Sequence, residues 1–434
     1  MKNLCQNYLG TLIAATAEEL LSKICGSNEM RNLKKKFSSL KLNLCSALAV
    51  ITLFALTLHF ATNTAIADGH PDAKKLLEMI EKQQKELDAL KKALVETQAA
   101  QASSGGSSSV SDVISENKLK IGGTLEIEAT NTESFTADTN TSDLSLAKAT
   151  LYFEAQPHEM LQTYIAGVFK EADGANIALD EGWVKIGETD DMPAYLKAGN
   201  FVVPFGAFNT NMLADPLGLT LAETAENPVQ VGYSMGGFSG SVFAFNGDTQ
   251  ENGEGDHFDK FGANLAYSAK VSGASVDLGL SYINAIGESD TIEGALGSAT
   301  SMAGDNPSGI GVSAMVQTGP FTGIFEYITA TDDFDSGDVA FNGTNAQPAA
   351  YQFEIGYTTT LLEKELVLAA TYQMSEESQA LGIAEEQYGV AATYSYLPGL
   401  AIGVEYMHQE DYSSSDGGTG LDGHNATIKL IGEW

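Results

Sequence analysis

Two hydrophobic periods divide the chain. Between Asp72 and Gln98, residues Leu76, Ile80, Gln83, Leu87, Leu90 and Leu94 recur at alternating spacings of four and three, with Lys and Glu on the remaining positions. That is the seam of a coiled coil. From Lys118 the period falls to two. Ile121, Gly123, Leu125, Ile127 and Ala129 alternate with Lys120, Thr124, Glu126, Glu128 and Thr130. The same alternation returns at Tyr351/Phe353/Ile355/Tyr357 and at Leu366/Leu368/Ala370/Tyr372. Each run predicts a strand with one apolar and one polar face.

Sixteen such strands are predicted, near 118–131, 144–156, 161–171, 176–188, 193–203, 227–234, 238–247, 257–271, 274–286, 308–318, 321–331, 350–360, 364–374, 385–396, 400–410 and 423–434. A soluble sandwich would alternate too, so the connections decide. Tight joints such as Met235-Gly236-Gly237, Ser272-Gly273, Gly319-Pro320 and Leu397-Pro398-Gly399 alternate with longer stretches at 132–143, 204–226, 248–256, 287–307, 332–349 and 411–422. Short turns on one rim and long loops on the other predict an all-β transmembrane barrel of antiparallel strands, both termini on the short-turn side. Tyr388, Tyr394, Tyr396, Tyr406, Tyr357, Tyr282, Tyr267 and Phe261 fall on the apolar face, as aromatic girdles do. The final strand ends on Trp434.

Upstream, Arg31, Lys34, Lys35, Lys36 and Lys41 precede an apolar run from Leu42 to Phe60, then Ala65-Ile66-Ala67. These are the three parts of a secretory signal peptide, with cleavage expected after Ala67. Residues 1–29 suggest a mis-called start, because a chain begun at Met30 has a signal of ordinary form. The expected organisation is therefore a signal at 1–67, a periplasmic coiled coil at 68–100, a Ser/Gly linker at 101–117 and an outer-membrane barrel at 118–434.

Charge narrows the chemistry. From Lys118 onward there are 45 acids, 10 lysines and no arginine, which excludes a nucleic-acid partner and an Arg-built anion filter. Cys5, Cys25 and Cys45 all precede the cleavage site, and the histidines have no metal-ligand spacing. No G-x-S-x-G elbow occurs, so an enzyme and a cofactor are not expected. Asp332, Asp333, Asp335 and Asp338 lack the EF-hand order and read as a solvated loop.

The seam, the linker, the barrel opening Lys120-Ile121-Gly122-Gly123 and the run Val203-Pro204-Phe205-Gly206, Asn209-Thr210-Asn211-Met212, Asp215-Pro216-Leu217, Glu223-Thr224 and Val229-Gln230-Val231-Gly232 resemble the LbtU-type siderophore porins. More distantly they resemble the coiled-coil phosphate-type porins. The resemblance implies a homotrimer and a small-solute or ferric-siderophore substrate. The terminal Trp434 resembles the signal read by the barrel-assembly machinery.

A sixteen-strand barrel leaves an aqueous lumen. Its inward positions carry Lys120, Glu126, Glu128, Lys148, Glu154, Asp277, Glu326, Glu354, Glu405 and Lys429, which predicts passive, weakly selective diffusion favouring cations or neutral solutes. A substrate-specific channel and a structural tether working through the coiled coil are the alternatives. The 204–226 connection is unusually apolar, with Phe205, Phe208, Met212, Leu213, Leu217, Leu219 and Leu221. It is expected to fold into the lumen as a constriction rather than latch a neighbouring subunit, presenting Asn209, Asn211, Asp215, Glu223 and Glu226 to the solute path.

Overall fold

A computed structural model describes residues 118–137, 139–171, 177–251, 257–296 and 301–434. The expected signal peptide, coiled-coil seam and linker lie outside the described residues.

Sixteen antiparallel strands close into one barrel. They are β1 (Lys120–Glu133), β2 (Asn140–His158), β3 (Leu161–Phe169), β4 (Ile177–Thr189), β5 (Met192–Val202), β6 (Val229–Met235), β7 (Phe238–Phe245), β8 (Lys260–Val271), β9 (Ala274–Ile283), β10 (Gly309–Thr318), β11 (Phe321–Ala330), β12 (Ala349–Leu361), β13 (Lys364–Glu376), β14 (Glu386–Leu397), β15 (Leu400–Glu410) and β16 (Asp422–Glu433). Each strand pairs with the next, and β1 pairs with both β2 and β16, so no edge is left open. Closure is what hydrocarbon demands, since an unpaired edge would leave backbone donors without partners.

Alternation sets the two faces. Leu125, Ile127, Leu151, Phe153, Ile165, Leu196, Val231, Leu265, Leu280 and Ile355 project outward and are exposed, as lipid-facing side chains are. On the outer face of β11 and β12, Phe321–Tyr357, Phe325–Phe353 and Tyr327–Tyr351 form three cross-strand aromatic pairs with centroids 5.0, 5.1 and 4.6 Å apart. The ninth strand stops at Ile283 instead of running to 286, because Ile286–Glu288 turns into a 3-10 helix.

The seam explains the double glycine of Lys120-Ile121-Gly122-Gly123. Gly123 and Trp434 each donate a backbone N–H to the other's carbonyl, both at 3.3 Å. The Trp434 ring then fills the space a Cβ at Gly123 would need, and the Tyr152 ring does the same at Gly122. Gly123→Val is accordingly expected to displace Trp434 and destabilise the closed barrel by about 1–3 kcal/mol, the usual cost of overpacking. A lower temperature for loss of the compact, heat-modifiable band on gels checks it.

Candidate functional site

The connection from Val203 to Pro228 does not leave the barrel. It turns inward after β5, where Gly206 adopts φ +89° and a Cβ would strike the Phe208 ring. The Gly206 N–H donates to Ser281 Oγ at 3.1 Å. The N–H groups of Ala207 and Phe208 then donate to the two oxygens of Glu326 at 2.6 and 2.9 Å. Glu354 accepts from Thr210 Oγ1 at 2.6 Å, from the Asn211 N–H at 2.6 Å and from Asn211 Nδ2 at 2.8 Å. Glu405 accepts from the Leu213 and Ala214 N–H groups at 2.6 and 3.2 Å. Lys429 Nζ donates to Leu213 O at 3.2 Å. On the way back, the Leu217 N–H, the first residue of the short helix α1 (Leu217–Ala222), donates to Gln373 Oε1 at 2.7 Å.

The segment is thus stitched across the inner faces of β9, β11, β12, β13, β15 and β16. Wall glycines make room for it: a Cβ at Gly403 would collide with Leu213. Its apolar side joins a core inside the barrel, where Phe205, Leu217 and Leu221 pack with Phe243, Phe245, Ile283 and Ile328 from the wall and with Ile286, Ile292 and Phe334 from other connections. Each such side chain contributes about 1.5–3 kcal/mol on burial, which holds irregular backbone inside a water-filled barrel.

These contacts redistribute the residues the sequence singled out. Glu326, Glu354 and Glu405 were expected on the solute path; they lie beneath the loop, 3–6% exposed, spent as acceptors for its backbone. Asn211 also turns to the wall, and Glu226 is buried near Asp248 and Glu288. Asn209 and Asp215 are exposed. The other wall is left uncovered. There Lys120 pairs with Glu154 at 3.0 Å, and Glu126 and Glu128 of β1 meet Lys429 of the loop-bearing β16 at 3.2 and 2.5 Å. Lys148 stands opposite Glu126 in the ladder. On the covered side, Asp277 of β9 accepts from Ser268 Oγ at 2.5 Å. The sequence reading missed Ser281, Gln352 and Gln373 as loop anchors, since alternation marks a residue as inward without saying what meets it there. Of the Asp332–Asp338 cluster expected to be a solvated loop, Asp338 instead accepts from the Ala303 and Gly304 N–H groups at 2.6 and 3.0 Å and ties two connections together.

The comparisons with known proteins agree with this geometry. A profile for Gram-negative porins matches residues 92–414. The chain belongs to the Gram-negative porins. It is 26% identical over 321 residues to a UPF0422 protein of Legionella pneumophila (strain Lens), covering 68% of this chain and 59% of the relative. It is 24% identical over 258 residues to a UPF0422 protein of Coxiella burnetii, covering 58% and 55%. The porin therefore spans less than two thirds of the length of these relatives. Among solved structures, an anion-selective porin from Comamonas acidovorans overlays with TM-score 0.51 at 10% identity, over 73% of this chain and 99% of that one. OmpF of Salmonella typhi in complex with daunomycin overlays with TM-score 0.50 at 15% identity, over 74% and 98%. At these identities the likeness is one of fold.

The loop's return leg meets acids in the connections above the spanning strands. Burial, then Asp248 and Glu288, push Glu226 up to about 8. Glu223 is raised by burial and next by Asp290 and Asp215, with Lys170 and Lys148 of the facing wall pulling the other way. Burial also raises Glu288 and Asp290; the Asp290 N–H donates to Glu223 O at 2.9 Å and its Oδ1 accepts from Ala225 at 3.1 Å. A carboxyl raised in the folded state holds a proton that the unfolded chain has released. Its contribution to stability is complete below the usual carboxylate range and is lost as pH rises to about 8. The porin is expected to melt at a lower temperature at about pH 9 than at about pH 5, and Glu226→Gln to flatten that dependence, as circular dichroism melts would show.

Proposed function

We propose that the porin gives passive, weakly selective diffusion of small hydrophilic solutes across the outer membrane, through a lumen narrowed by the segment 203–226. The observation that carries this reading is the row of wall carboxylates, Glu326, Glu354 and Glu405, holding that segment by its backbone. A latch onto another subunit would need the segment's apolar side free, and that side is occupied by the internal core. Selectivity is weak because lysines and acids neutralise one another at the lumen wall, Lys120 with Glu154 and Lys429 with Glu126 and Glu128, while the three anchoring carboxylates are withheld from solute. The acidic outer connections tip the balance toward cations. A homotrimer, held in part by the periplasmic seam, fits the sequence resemblance and the family.

Deleting 207–222 is expected to raise single-channel conductance in planar bilayers and to leave the oligomer intact on native gels. Unchanged conductance with loss of the oligomer would overturn the constriction.

Reversal potentials in a salt gradient are expected to show a small cation preference at low salt that fades as salt rises. The preference should grow in the deletion variant, which uncovers Glu326, Glu354 and Glu405. Anion preference in either protein would refute it.

A further inference from the structure

The wall that the inner loop leaves bare carries aromatic residues on its lumen face. In β2, β3 and β4, Tyr152, Tyr164 and Trp183 share the inward side with Glu154, Gln162 and Glu181, while Leu151, Phe153, Ile165 and Val184 take the lipid side. Their rings form a continuous row. Tyr152 and Tyr164 have centroids 5.8 Å apart with planes 25° from parallel, and Tyr164 and Trp183 have centroids 5.4 Å apart at 18°. Tyr152 lies down over Gly122 of the neighbouring strand, where a Cβ would strike its ring, so the row begins flat on the wall. At the other end Lys197 Nζ stands 4.6 Å from the Trp183 ring centroid and 3.6 Å from that of Phe201. All three rings are half-buried. Aromatic faces left open to an aqueous lumen are a cost unless something covers them, and lipid, the usual partner of barrel aromatics, is on the other side.

The polar groups around the row say what fits it. Glu154 accepts from Lys120 at 3.0 Å and from Gln162 Nε2 at 3.1 Å. Glu181 accepts from Trp183 Nε1 at 2.9 Å, and Lys185 pairs with Glu188 at 2.9 Å. Three carboxylates thus face three lysines, Lys120, Lys185 and Lys197. In a barrel with 45 acids against 10 lysines, this patch is close to balanced, with Asp180 the one further acid acting on Tyr164. An aromatic floor of near-balanced charge, edged by hydrogen-bonding groups, suits a neutral solute with an apolar face and a polar rim. A pyranose ring has that form, its C–H face on the rings and its hydroxyls on the carboxylates, amide and ammonium groups.

We propose that Tyr152, Tyr164 and Trp183 form a binding track for neutral sugars on the open wall of the lumen. The track rests on the reading of the barrel as an open channel, because solute reaches it only through the pore.

The test uses the full-length porin in planar bilayers with maltotriose as probe. The sugar is expected to reduce the ionic current saturably. Trp183→Ala and Tyr164→Ala should each raise the half-blocking concentration about tenfold, the scale of one lost aromatic contact, and Trp183→Phe less. A conducting channel that maltotriose does not block, or block that is as strong in both alanine variants, overturns the track. Block by tetraethylammonium in preference to maltotriose overturns the neutral class. A channel that never conducts refutes the porin reading instead, and a second measurement then judges the track alone. Trp183 and Trp434 are the two tryptophans, so in Trp434→Phe the fluorescence of Trp183 in detergent-solubilised, heat-modifiable protein should change on adding maltotriose. No change there also overturns the track.

Discussion

Backbone N–H groups inside a water-filled barrel need acceptors, and the wall supplies them as carboxylates. Glu326, Glu354 and Glu405 sit on β11, β12 and β15 at positions that alternation would have left open to solvent, and each takes two or more donors from residues 207–214. A hydrogen bond to a charged acceptor is worth roughly 1.5–3 kcal/mol, against about 1 for a neutral pair. Irregular backbone is tolerated at membrane depth only where it is buried in protein or lines a water-filled cavity. The path of the loop, the shape of the remaining lumen and the identity of the open wall all follow from where these three carboxylates stand.

The barrel itself was legible because its physics is periodic. Alternation at Ile121–Ala129, tight joints such as Ser272-Gly273 and long stretches such as 332–349 report a half-buried surface, a hairpin and an outer loop through local sequence alone, and sixteen strands emerged with ends displaced by a few residues. The site was legible only in part. The apolar run Phe205, Phe208, Leu217, Leu221 announced that 204–226 avoids water, because an exposed apolar loop has no stable place in solvent. Its partners were not readable, since Glu354 and Asn211 lie 143 residues apart and no local period joins them. Gly403 looked like one more inward small residue until Leu213 was found occupying its space. Tyr152, Tyr164 and Trp183 escaped notice for the opposite reason: aromatics in barrels suggest lipid, and only strand register puts these on the inner face.

Selectivity depends on which charges are free, and composition does not say. Forty-five acids against ten lysines, taken alone, describe a cation-selecting filter, yet the three best-placed inward carboxylates are covered and Glu126 and Glu128 share Lys429. The acids that stay open are concentrated in the connections beyond the strands. On the proposed reading they attract cations to the mouth without forming a charged ring at the narrowest point, a weaker and more salt-sensitive effect.

The same packing divides the lumen in two. One half, from β9 round to β16, is filled by the loop and its apolar core, and its side chains serve the loop. The other half, from β1 to β5, has no loop to serve, so its inward residues are free to meet solute. There Lys120 and Lys185 are paired with Glu154 and Glu188, and the aromatic row lies between them. On the proposed reading, binding chemistry in such a channel collects on the uncovered wall, because on the covered wall Glu326, Glu354 and Glu405 are already committed to the loop. The loop therefore does more than set the bore. By choosing which wall to cover, it determines which residues the solute can touch.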